Sequence, residues 1–183
     1  MRSLVSLVFA TAIVSPALAT EMNIEVEGAA NGTITIDLLE DVAPDHVERM
    51  AELAREGAYD NVVFHRVIDG FMAQTGDVQY GKEDSQPGFA GRGGSNRPDL
   101  RAEFSDIPFD RGVVGMARSQ NPNSANSQFF IMFDEGHFLN GQYTVVGKVT
   151  GGMEIVDSIK RGSGPNGAVV ATPDVMRRVT ISE

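Results

Sequence analysis

The sequence contains no cysteine and no tryptophan, and only three histidines in 183 residues. Without cysteine there can be no disulfide, no thiolate zinc or iron–sulfur site and no thiol nucleophile. His46, His65 and His137 are not at metal-ligand spacing and no H-E-x-x-H pair exists, so no metal is expected. Basic residues are also scarce. Fifteen Lys and Arg face 25 Asp and Glu, for a formal net charge of −10. That balance argues against a nucleic-acid binder, which needs a basic footprint, and disfavours docking on anionic lipid. No long apolar run follows residue 19, so no membrane span is expected there. There is no G-x-S-x-G elbow, no P-loop and no pair of carboxylates that stands out as an acid–base couple. Gly162-Ser163-Gly164-Pro165-Asn166-Gly167 does fit G-x-G-x-x-G. It contains proline and precedes no helix, so a surface loop is the better account than a dinucleotide site.

What is present suits a single domain. The apolar fraction is 42% and there are 20 glycines, which points to a turn-rich, mainly β chain with its own core. Residues 1–19 have a different layout. Arg2 is followed by an apolar run from Leu4 to Val14, a break at Ser15-Pro16, and Ala17-Leu18-Ala19. This is the pattern of a secretory signal peptide cleaved after Ala19. The mature domain is then 20–183, expected in a bacterial periplasm, with free secretion as the alternative.

Along the mature chain, Asn23–Glu27 and Thr33–Leu38 alternate polar and apolar around Asn31-Gly32, a hairpin signal. Pro44 opens a helix whose Val47, Met50, Ala51 and Ala54 share one face, and Gly57 ends it. His46 points off that stripe and is expected in solvent. Val62–Ile68 is an apolar run interrupted by His65 and Arg66. Residues 77–111 show little periodicity and read as a long irregular segment. Strands are expected at Gly112–Ala117, Gln128–Phe133, Thr144–Val149 and Arg178–Ser182, and a short helix at Met153–Ile159. About eight strands and two helices favour a closed antiparallel barrel, because closure removes exposed sheet edges.

Arg66 is the notable cation, set within Val63-Phe64-His65-Arg66-Val67-Ile68 and followed by Gly70-Phe71-Met72. A guanidinium stays charged and offers five N–H donors in one plane. Among apolar neighbours it must be paired or wetted. An edge arginine that reaches solvent would satisfy that as well as a functional one. Along 129–133, Phe129, Ile131 and Phe133 alternate with Phe130 and Met132, so one set is core and the other faces away.

At these residues the chain resembles the cyclophilins. The likeness is carried by Phe64-His65-Arg66-Val67-Ile68-Asp69-Gly70-Phe71-Met72-Ala73-Gln74-Thr75-Gly76-Asp77, then Gly115-Met116-Ala117-Arg118, Ser127-Gln128-Phe129-Phe130-Ile131 and Phe138-Leu139-Asn140-Gly141, in the family's order. The resemblance implies a mainly β fold, a closed eight-stranded antiparallel barrel capped by two α-helices. It implies peptidyl-prolyl cis-trans isomerase activity on proline-containing polypeptides, with no cofactor, in a monomer. Carried over by position, Arg66 is the catalytic residue. Phe71, Met72, Phe130 and Leu139 form the proline pocket. Gln74, Gln128 and the backbone at Ala117 and Arg118 contact substrate. Phe138 and Tyr143 occupy positions where animal members usually carry Trp and His, and exported bacterial members resemble this chain at both. Phe138 lacks an indole N–H, so cyclosporin binding is expected to be weak. A module that only binds proline segments, without turnover, is the competing reading.

Overall fold

The computed structural model describes residues 20–85 and 88–183. Nine strands and two helices follow in order: β1 Glu21–Glu27, β2 Gly32–Leu38, α1 Pro44–Arg55, β3 Val62–Val63, β4 Arg66–Ile68, β5 Met72–Thr75, β6 Val113–Met116, β7 Phe129–Met132, β8 Val145–Gly151, α2 Met153–Ser158 and β9 Val175–Ser182. The segment expected to carry the export signal lies outside the described residues. All strand pairs are antiparallel, in the order β3-β9-β1-β2-β8-β6-β7-β5-β4.

This sheet is a curled half-barrel, not the closed eight-stranded barrel expected from the sequence. The reason lies in the run Val62–Ile68. Phe64 and His65 break it into β3 and β4, which become the two edges of the sheet. Successive pieces of one extended run cannot lie side by side, so no ladder joins them. Loops satisfy their free backbone groups instead. Val63 N–H donates to Gly81 O at 2.8 Å, and Gly162 N–H donates to Val67 O at 2.9 Å.

The interior collects the inward residues of β1 and β2 (Met22, Ile24, Ile34, Ile36), together with Phe129, Ile131 and Phe133. The alternation left open in the sequence is thus decided, with the odd-numbered set inside. Phe130 and Met132 point the other way. They join Met72, Phe109, Val113, Leu139 and Val145 in a second apolar cluster. Helix α1 lays Val47, Met50, Leu53 and Ala54 onto the main core and packs against β9, while α2 packs against β2 and contributes Val156. Burying an apolar side chain of this kind contributes roughly 1.5–3 kcal/mol, so the helices are held by their buried faces.

Three local expectations need correction. The hairpin turn is longer than Asn31-Gly32. Gly32 already belongs to β2 and pairs with Val26 of β1, and the loop is tied down elsewhere, with Ala30 N–H donating to the buried Asp174 carboxylate at 2.8 Å. His46 is buried rather than exposed. Its Nδ1 meets Glu103, whose carboxylate also accepts the N–H groups of Asp45 and His46 in the first turn of α1. Strand β9 begins at Val175 rather than Arg178, because a register shift opposite Glu25 and Val26 lets it continue along β1.

Candidate active site

Two adjoining cavities open beside β4, β5 and β7. The smaller, of about 280 Å³, is lined by Arg66, Phe71, Met72, Gln74, Ala117, Arg118, Phe130, Phe138, Leu139 and Tyr143. Ten of the eleven site residues expected from the sequence therefore meet in one place. The eleventh, Gln128, lines the neighbouring cavity of about 450 Å³, which shares Gln74, Ala117 and Arg118 with the first.

The floor is apolar and buried. Met72 and Phe130 are buried and belong to the second cluster, with Phe71 and Tyr143 packed against it. The Phe130 ring stacks on Phe109 at 5.7 Å between centroids and takes the edge of Tyr143 at 5.9 Å. Phe71 and Phe138 form the opposite lip, 5.4 Å apart. Antiparallel pairing sets the depth of each group. Arg66 is opposite Gln74, Gln74 is opposite Phe130, and Ile68 and Met132 both flank Met72. Because side chains alternate along a strand, Arg66, Gln74 and Phe130 emerge on one face.

The polar side is a directed chain. Arg66 Nη1–H donates to Gln74 Oε1 at 3.0 Å, Gln74 Nε2–H donates to Gln128 Oε1 at 3.0 Å, and Gln128 Nε2–H donates to Gly93 O at 2.8 Å. The other edge of the guanidinium is bound too. Nε–H donates to the main-chain oxygen of Asn166 and Nη2–H to its Oδ1, each at 3.0 Å. Arg66 is half-buried, and that burial draws its pKa below the ordinary arginine value while the neighbouring Tyr143 raises it. An arginine starts so high that it remains a cation near neutral pH. Arg118 occupies the saddle between the cavities. Its guanidinium stacks 4.3 Å over the Tyr143 ring and donates from Nη2 to Gln142 O at 2.8 Å.

Asn166 was missed in the sequence, where residues 162–167 read as a surface loop. The available signal was the Pro-Asn-Gly turn, since asparagine accepts left-handed backbone geometry. Nothing local tied that turn to a residue 100 positions away. The sequence assigns His65 no role. It lies behind the site, buried, with neither ring nitrogen hydrogen-bonded.

The smaller cavity has two held cations, Arg66 and Arg118, beside an apolar hollow, and no carboxylate, histidine or serine among its lining residues. It suits binding and reorienting a neutral group better than breaking bonds. Among the described residues no group of His, Asp and Glu is placed to hold a metal ion.

A family model for cyclophilin type peptidyl-prolyl cis-trans isomerase/CLD matches residues 21–181. A probable peptidyl-prolyl cis-trans isomerase of Brucella suis biovar 1 (strain 1330) is 61% identical over 155 residues, covering 82% of this chain and 78% of that protein. Peptidyl-prolyl cis-trans isomerase B of Escherichia coli (strain K12) is 34% identical over 165 residues, covering 84% and 96%. Among solved structures, a Cryptosporidium parvum cyclophilin type isomerase determined in the presence of the dipeptide Ala-Pro superimposes with a TM-score of 0.75 at 25% identity, covering 89% of this chain and 99% of that one. The cyclophilin AquaCyp293 of Hirschia baltica gives 0.70 at 25% identity, covering 87% and 73%.

Proposed function

The chain belongs to the cyclophilin-type peptidyl-prolyl cis-trans isomerases, and we propose that within that activity Arg66 is the catalytic donor and the hollow over Phe130 holds the proline ring. The Ala-Pro dipeptide present with the Cryptosporidium parvum relative supports a proline-containing peptide as the ligand.

Rotation about an X–Pro bond meets a barrier of about 18–20 kcal/mol because the C–N bond has partial double-bond character. No bond is made or broken, so neither nucleophile nor general base is needed. In the twisted transition state the proline nitrogen becomes pyramidal and recovers its lone pair. A donor aimed at that nitrogen binds the twisted form better than either planar isomer, and only such differential binding lowers the barrier. Arg66 supplies a permanently charged donor. Phe71, Met72, Phe130 and Leu139 hold the ring while the preceding carbonyl swings, with Phe138 and Tyr143 at the rim. Gln74, Gln128 and the backbone at Ala117 and Arg118 take the peptide main chain. An acceleration of about 10⁵ needs about 7 kcal/mol. A charged hydrogen bond in a water-poor, pre-oriented site is of suitable size to supply much of it.

The observation that carries this reading is Arg66 held half-buried beside the apolar hollow. Exchange NMR on one X–Pro peptide tests it, giving affinity and catalysed exchange separately. Arg66→Ala should lose most exchange and keep most affinity and its circular dichroism spectrum. Arg66→Lys should recover little, since lysine lacks the planar fork. Exchange by Arg66→Ala within about threefold of wild type, well under the roughly 1.4 kcal/mol of a tenfold change, would leave a proline-binding module as the better reading.

The proposed setting is the periplasm, with exported chains as clients. Its support is the layout of residues 1–19. Protein recovered from that compartment should begin at Thr20, and recovery of a chain that keeps Met1 would overturn it.

A further inference from the structure

The glycine-rich segment that fails as a dinucleotide motif lies against the edge of β4. Gly162 N–H donates to Val67 O, Val169 N–H donates to His65 O at 3.0 Å, and Ala168 forms a bridge with Arg66. The glycines allow this approach. A Cβ on Gly162 would strike Gly167 O, and one on Gly167 would meet the side chain of Ile68 and, at 3.0 Å, Val67 O. Between them Asn166 has φ 54° and ψ 33°, left-handed values that asparagine tolerates better than most residues. That turn brings both oxygens of one residue, main-chain and side-chain, to the Nε/Nη2 edge of Arg66.

The partners of Arg66 carry no charge. Arg55, Arg97, Arg111, Arg161 and Arg177 pair with carboxylates, whereas Arg49 and Arg118, like Arg66, donate to uncharged oxygens. The hydrogen-bond acceptors of Arg66 are a carbonyl, two side-chain amides and a thioether, in a chain with 25 Asp and Glu. A carboxylate at residue 166 would bind the guanidinium more strongly, as a charge-assisted pair. It would also cancel the charge that a substrate amide is meant to feel.

We propose that Asn166 is a positioning residue for Arg66, and that its uncharged amide fixes the guanidinium without neutralising it. The segment 162–169 is then part of the catalytic apparatus, a clip on a sheet edge. The fork occupies Nε and Nη2, and Gln74 occupies Nη1. Nη1 also reaches the Met72 sulfur at 3.9 Å, so it is Nη2 that keeps a further N–H for the peptide. This inference rests on Arg66 being the donor, and its test separates the two.

The experiment uses the folded protein, one X–Pro peptide and two variants. Asn166→Gly keeps the left-handed turn and the main-chain acceptor but removes Oδ1. Asn166→Asp keeps an acceptor and adds a charge. Both should retain peptide affinity within about twofold, while catalysed exchange at saturation falls about tenfold, the scale of one hydrogen bond to a charged group. The Arg66 Nε–H resonance should broaden in Asn166→Gly and stay sharp in Asn166→Asp, because there the guanidinium is fixed but compensated. In an Arg66→Ala background, adding Asn166→Asp should change residual exchange by less than twofold. Full exchange by Asn166→Asp overturns the inference, as does equal loss of affinity and exchange with an unchanged Arg66 resonance. If Arg66→Ala is inactive and both Asn166 variants are active, Arg66 stands and Asn166 does not. If Arg66→Ala is active, both readings fall.

Discussion

Gln74 donates from its Nε2–H to Oε1 of Gln128 at 3.0 Å, and this bond fixes which way the Gln74 amide faces. Its oxygen is thereby left pointing at Arg66. Gln128 is itself oriented by donating to Gly93 O. The polarity of the whole chain, from cation to loop carbonyl, depends on both residues being amides.

Gln74→Ala should therefore free one corner of the guanidinium and lower kcat/KM about tenfold, given that a hydrogen bond to a charged group contributes roughly 1.5–3 kcal/mol. Gln128→Glu should do similar harm by a different route. Its carboxylate cannot donate to Gly93 O, so the loop bearing Gly93 loses an anchor. Steady-state assays on one peptide check both, and a change below twofold in either would remove that residue from the positioning chain.

Acid should weaken the fold through His65. Burial pushes its pKa down to about 4, more than the neighbouring Asp77 raises it. An unfolded histidine titrates near 6.5. Between those values the unfolded chain binds a proton that the folded one excludes, so stability is intact above pH 6.5 and is lost as pH falls through 4. The loss attributable to this group is about 3 kcal/mol. Urea unfolding of wild type and His65→Gln at pH 7, 5.5 and 4 measures it. Stability of the variant should fall less with acid, and parallel curves would refute the assignment.

Gly115→Ala should damage the pocket from behind. A Cβ there would lie 2.6 Å from both Phe109 Cε1 and Phe130 Cζ. Neither ring can yield freely, because they stack on each other. Overpacking of this kind costs typically 1–3 kcal/mol. With Phe130 displaced toward the hollow, KM should rise more than kcat falls. Thermal unfolding and peptide titration read the two effects. An unchanged KM would show that Phe130 does not line the proline seat.

Cyclosporin should bind weakly, and Phe138→Trp should tighten it. Phe138 is 66% exposed at the lip, so a larger ring fits without disturbing the core. The added indole supplies the missing N–H, and a hydrogen bond to an otherwise unsatisfied acceptor is worth roughly 1–3 kcal/mol. The wild-type chain has no tryptophan, so the introduced one reports its own titration by fluorescence. Equal affinity in the two proteins would remove the explanation.

Local pattern carried much of this molecule. Helix α1 follows its apolar stripe from Val47 to Ala54, and Arg66, Phe71, Met72 and Gln74 gather in one cavity, because the antiparallel pair β4 and β5 and the turn between them hold them. What stayed hidden depends on distant partners. His46 sits off its helix stripe yet is buried, because Glu103 arrives from an irregular loop to meet it. The open seam between β3 and β4 depends on how a single apolar run divides, which periodicity does not encode. Asn166 looked like turn chemistry and nothing more, since the left-handed residue and the guanidinium it holds are far apart in the chain.

That separation also bears on the order in which a ribosome delivers the parts. Arg66, Gln74 and Phe130 all emerge well before residue 166, and β9, which lies between β3 and β1, emerges later still. A nascent chain halted after β8 would contain the lip and floor residues Phe71, Phe130, Phe138 and Leu139 but not Asn166, leaving Arg66 with Gln74 as partner on one edge only. Such a chain has the adhesive surfaces of the site without its full orientation. The last stretch to be synthesised would then act as the switch that turns a sticky hollow into a catalyst.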